Sequence, residues 1–119
     1  MNQIILDSSA VSEGAWYEVD HLEVPYSVEV IGFASGDVAQ VYVCNNWARP
    51  STASPTAGDG TVAYTATLSQ DTIVEVTAVY KWIRCIKSTA GGSPATTVAT
   101  LVGRTKFSLP PLGGPAGGS

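Results

Sequence analysis

The sequence predicts an all-β protein: an antiparallel β-sandwich, jelly-roll or Ig-like, of about seven or eight strands with a Gly/Pro-rich C-terminal arm. Three observations carry this. Thr, Ser, Ala, Gly and Val dominate the 119 residues, and only 13% are charged. Such a mix is rich in strand formers and poor in helix formers. Short stretches alternate apolar and polar side chains with a period of two, as in "SVEVIGF" and "VAYTATL". Turn-forming clusters lie between them, at 12–14, 35–37, 58–60 and 91–94.

The expected strands are 3–6, 15–19, 27–33, 38–44, 61–68, 72–76, 79–87 and 95–102. Residues 1–103 are read as one sandwich domain, since a chain of this size with 45% hydrophobic residues holds a single core. Residues 104–119, "RTKFSLPPLGGPAGGS", are read as an extended or disordered arm. Pro110 and Pro111 oppose ladder pairing, and the glycines add chain entropy. Phe107, Leu109 and Leu112 make the arm a candidate for docking in a groove.

Net charge is −4, with a pI near 4.6. Clustered Lys and Arg for phosphate binding are missing, so no direct nucleic-acid partner is expected. Residues 1–60 hold eight of the ten acidic groups and one basic group, Arg49. Residues 61–119 hold the other five basic groups and two acidic ones. This asymmetry suits electrostatic pairing of subunits, unless strands from both halves mix in the sheets. No run approaches the roughly 20 apolar residues of a membrane span. "MNQIILDSSA" has no basic, apolar leader pattern, so synthesis in the cytoplasm is expected.

Enzymatic chemistry finds no convergent set here. The single histidine, His21, sits near Glu18, Asp20 and Glu23, but without the glycine-punctuated spacing of a calcium loop. His21 is read as a surface loop residue, and no metal, cofactor or catalytic residue is expected. Cys44 and Cys85 lie in apolar strand-like runs and are read as buried free thiols. A bridge between them would need neighbouring strands.

"VYKWIRCIK" divides into two parities. Val79, Lys81, Ile83, Cys85 and Lys87 form one; Tyr80, Trp82, Arg84 and Ile86 form the other. With Ile83 and Cys85 in the core and the lysine stems snorkelling outward, Tyr80, Trp82 and Arg84 cover the outer face. Aromatics and Arg there resemble an interface hot spot. The competing assignment puts Trp82 and Ile86 in the core. The loop 45–60, "NNWARPSTASPTAGDG", carries Trp47 and Arg49. Its indole either meets a ligand or partner or folds back over the end of the sandwich.

Taken together, Gly14-Ala15-Trp16, the "VEV" strand, "GDVAQVYV" over 36–43, and the aromatic–Ile–Arg strand with its Gly-Gly turn and Thr/Val-rich return form a pattern over roughly residues 14–103. It resembles small β-sandwich structural proteins of tailed-bacteriophage virions. It departs from them after residue 43, where "CNNWARP" stands in place of an Asp-Gly turn. The resemblance implies a non-enzymatic virion protein: a head decoration or cement protein, or a head or tail fibre component. Its partners would be the major capsid protein or another virion protein, and copies of itself, a trimer being favoured. The arm would add contacts. The pattern is also similar to jelly-roll sugar-binding modules. Under that second reading a surface glycan meets Trp47, Asn45, Asn46 and Arg49.

Overall fold

The computed structural model describes residues 2–50 and 62–106, which contain eight strands and no helix. They are β1 (Asn2–Ser8), β2 (Tyr17–Glu18), β3 (Tyr26–Ile31), β4 (Val38–Cys44), β5 (Val62–Leu68), β6 (Thr72–Val76), β7 (Trp82–Thr89) and β8 (Thr97–Val102). Two four-stranded sheets form, in the orders β1-β8-β3-β6 and β2-β7-β4-β5. Every pairing between them is antiparallel. Only β4 and β5 are consecutive strands in one sheet; every other connection crosses between sheets. This order is that of a jelly roll, two Greek keys closed on one core, and not of an Ig-like sandwich.

The core follows from alternation. Tyr26, Val28 and Val30 of β3 are buried, as are Ala39, Val41 and Val43 of β4. Val74 and Val76 of β6 and Ala99 and Leu101 of β8 join them, with Ile83 and Cys85 of β7 opposite. Register places Val28 between Val74 and Leu101, so three apolar side chains form one inward row. Burying each such side chain contributes about 1.5–3 kcal/mol.

Two of the elements that are shorter than their sequence pattern are cut at glycines. The stretch 27–33 leaves the strand at Ile31 because Gly32 turns with φ 91°, and a Cβ there would collide with the Thr96 carbonyl oxygen. The Thr97 hydroxyl donates to the Gly32 carbonyl at 2.8 Å, which satisfies a buried threonine. The stretch 15–19 forms only the two residues of β2. Gly14, at φ 63°, lies so close to the Cys85 carbonyl oxygen that only a hydrogen fits. That close approach lets Ser12 pair with Lys87 through two backbone hydrogen bonds of 3.0 and 2.7 Å.

Lys87 corrects the snorkelling expectation: its side chain is fully buried. Its Nζ donates to the Ala95 carbonyl at 2.7 Å and stands 3.4 Å from Asp37 Oδ2. Asp37, also buried, accepts the backbone N–H groups of Gly91, Ala34 and Ala95 at 2.8, 2.8 and 3.0 Å. These bonds, with Gly91 first, hold its carboxyl well below the usual carboxylate range. One carboxylate therefore ties the β3–β4 turn to the β7–β8 turn.

Candidate functional site

Trp82 and Arg84 point out of the β2-β7-β4-β5 sheet, opposite Ile83 and Cys85, as the parity of β7 requires. Their exposure is corrected: Trp82 retains 6% and Arg84 none. The chain itself covers them. Register sets Trp82 opposite Cys44 and Arg84 opposite Tyr42, and Trp16 closes over the group to make a second, outer cluster. The Arg84 guanidinium lies 4.7 Å from the Trp16 ring centroid, with Glu13 3.8 Å from its Nη1. Tyr80 departs from the pair altogether. It precedes β7, packs half-buried against the inner core, and meets Tyr64 edge-on at 5.9 Å. The three residues thus do not form one surface.

The cysteines lie on opposite faces of this sheet: Cys44 in the outer cluster and Cys85 in the core. Both are free and buried. Burial pushes the Cys85 thiol up to about 12.

A polar corner sits where β4 ends. Trp47 is 90% exposed, and Lys81 Nζ lies 5.5 Å from its ring centroid and 5.4 Å from that of Trp82. The Arg49 guanidinium stands 5.1 Å from the Trp82 ring. Lys81 donates to Glu18 Oε2 at 2.6 Å and Asp20 Oδ2 at 3.3 Å. The Glu18 bond, foremost, raises the lysine above its ordinary value. Asn45 and Asn46 hold the loop in place. Asn45 Oδ1 accepts the Lys81 N–H at 2.9 Å, and the Asn46 carbonyl accepts Trp82 Nε1 at 3.0 Å. The structure therefore brings Trp47 and Arg49 together at one corner, with Lys81, Glu18 and Asp20 as neighbours that sequence reasoning did not assign to it.

The second surface was missed. The outer face of the β1-β8-β3-β6 sheet has no covering layer among the described residues. Ile4, Ile31, Ile73 and Val102 stand out from it, 51, 40, 68 and 37% exposed. Register strings Ile4, Thr100, Glu29 and Ile73 across all four strands in one row. Beside it, Glu29, Ile31, Asp71, Thr72 and Ile73 line a shallow depression of about 410 Å³. The available signal was apolar residues on the polar parity of their strands, Ile31 and Ile73 above all.

The C-terminal candidates Phe107, Leu109 and Leu112 lie outside the described residues. The chain approaches them beyond the end of β8, where Thr105 bridges Leu22 and the Lys106 N–H donates to the His21 carbonyl at 2.7 Å. Arg104 and Lys106 are exposed there, with Arg104 Nε 3.9 Å from Glu23. His21 is exposed, as expected for a loop residue. Among the described residues no three His, Cys, Asp or Glu side chains converge as a metal site, and no helix is long and apolar enough to cross a membrane.

Comparison with known proteins found no matching family model, no matching curated protein and no matching solved structure.

Proposed function

We propose that this chain is a non-enzymatic structural protein of a tailed-bacteriophage virion, a decoration or cement protein that bridges capsid subunits. One observation carries the reading: a sheet face uncovered by the described residues, with four large aliphatic side chains 37–68% exposed. Several large aliphatic side chains exposed on one sheet face are a mark of protein contact surfaces. Jelly rolls recur in capsid and lectin domains, which agrees with the sequence pattern but assigns no function by itself. Copies joined through this face would hold several neighbouring capsomers at once, so modest contacts add up by avidity.

Co-sedimentation with capsids of the encoding phage tests this. Wild-type protein should pellet with the heads to a saturating ratio, and Ile73→Lys should stay in the supernatant while keeping its fold. Failure of the wild type to bind heads at any concentration overturns the reading.

The Trp47 corner favours a second reading, a glycan-binding module. An indole face in water, flanked by carboxylates and cations, is a stacking platform with hydrogen-bonding groups at its rim. Quenching or shifting of Trp fluorescence by a monosaccharide, lost in Trp47→Phe, would support it. A flat response across neutral, acidic and amino sugars would remove it.

A further inference from the structure

The open sheet face has chemistry as well as shape. The side chains facing out of β1, β8, β3 and β6 include Asp7, Glu29 and Glu75 and no Lys or Arg. Packing this face against the same face of a second copy would bring acidic groups together, which opposes a face-to-face dimer. Its complement is a segment both apolar and basic.

The chain contains one. Residues 104–119 carry Arg104 and Lys106 with no acidic group, followed by Phe107, Leu109 and Leu112. Phe107 and Leu109 are two residues apart, so an extended backbone turns them to the same side. Residues 107–119 can span at most roughly 45 Å, whereas the sheet is only about 20 Å along its strands.

Direction decides whose face is reached. Residues 103–106 continue past the end of β8, still pairing with 21–23 through the Glu23 N–H to Arg104 carbonyl bond of 2.8 Å. At Lys106 the chain is therefore still running past the end of β8, in the direction of that strand. The first strong turn formers, Pro110-Pro111 and Gly113-Gly114, come after Phe107 and Leu109. We propose that the segment Phe107 to Leu112 of one copy docks on the outer β1-β8-β3-β6 face of a second copy, joining the protein to itself by arm exchange. This names the partner of the apolar face and rests on the reading of that face as an assembly surface. Because Pro110 and Pro111 interrupt the segment, it binds by side chains laid on the face and adds no regular strand. Arg104 and Lys106 supply the charge that the face lacks.

The experiment is native mass spectrometry of the full chain over a concentration series, with three variants. Wild type should associate. Phe107→Ser/Leu109→Ser should weaken association at least tenfold, and Ile73→Lys should do the same. An equimolar mixture of those two variants should form mixed pairs, because the intact arm of one meets the intact face of the other. An arm lying on its own face would not be rescued by mixing. Glu29→Lys should also weaken association, and Arg104→Glu/Lys106→Glu in the same chain should recover part of it.

Wild type that stays monomeric at every concentration overturns the inference. So does association that survives Phe107→Ser/Leu109→Ser yet is lost in Ile73→Lys, an outcome that leaves the assembly-surface reading intact. Association indifferent to both variants defeats both readings. Folding of each variant is checked by its urea midpoint, which these exposed or terminal positions should leave unmoved.

Discussion

The guanidinium of Arg84 lies 4.7 Å from the centre of the Trp16 ring, and the two close the outer side of β7 against water. Arg84 presents its charge to an aromatic face and to Glu13 at 3.8 Å. Trp16 should therefore contribute mostly by burial, and Glu13 little. Trp16→Ala should lower stability by about 3–5 kcal/mol, in the range for large buried side chains. Glu13→Gln should cost under about 1 kcal/mol, as for a long, half-exposed ion pair. Urea denaturation of both variants checks the contrast, and equal effects would contradict it.

Asp37 should set the acid limit. Its carboxyl is held low by backbone N–H groups, Gly91 first, with Lys87 adding to the effect. A depressed folded-state value means that stability is full above the ordinary carboxylate range near 4. It is lost as pH falls and the folded carboxylate is forced to take a proton. Asp37→Asn should lower the urea midpoint at pH 7 and flatten the loss between pH 5 and pH 2. Wild-type and variant curves that stay parallel over that range would contradict this.

Cys85 should act at the alkaline end. Its thiol is pushed from 9.0 up to about 12 by burial, so the folded chain keeps a proton that the unfolded chain releases. That stabilisation is complete below pH 9 and declines as pH rises further. Neither Cys44 nor Cys85 should react with a thiol reagent in the native state at pH 8, whereas both should in urea. Rapid native labelling of Cys85 would overturn its placement.

Tyr26 is buried, and its hydroxyl has no hydrogen-bond partner among the described residues. Removing an unsatisfied buried hydroxyl relieves desolvation at little loss of packing. Tyr26→Phe should leave stability within about 0.5 kcal/mol of wild type or raise it. A loss above about 1.5 kcal/mol would mean the hydroxyl is bonded.

Of the three tryptophans, Trp47 is 90% exposed, against 1% for Trp16 and 6% for Trp82. Iodide should quench one component of the emission and leave the rest. Trp47→Phe should abolish the quenchable component and change stability by less than about 0.5 kcal/mol, as for an exposed surface position.

Much of this was legible in the residues. Alternation along β3 and β4, with glycine turns between strands, is a local property, and it predicts inward and outward sides correctly wherever one side meets water. The inward placement of Ile83 and Cys85 was one of two assignments open for β7, and it rested on lysine stems reaching outward, a premise that the buried Lys87 overturns. The rule fails along β7, where all six residues from Trp82 to Lys87 are buried. Both sides of that strand are covered, so polarity no longer reports the side.

The sequence by itself determined an all-β domain, its strand succession and two thiols placed in apolar strands. Tertiary structure alone decided that the sandwich is a jelly roll and that Trp16 covers Arg84. It also decided that Asp37 meets Lys87, fifty residues away, and that Ile4, Ile31, Ile73 and Val102 stand exposed on the outer side of the β1-β8-β3-β6 sheet. The physical reason is that period-two patterning divides a strand into two sides but carries no label for what covers either one. Covering is supplied by segments distant in the chain, and their arrival depends on how the strands are ordered in the sheets.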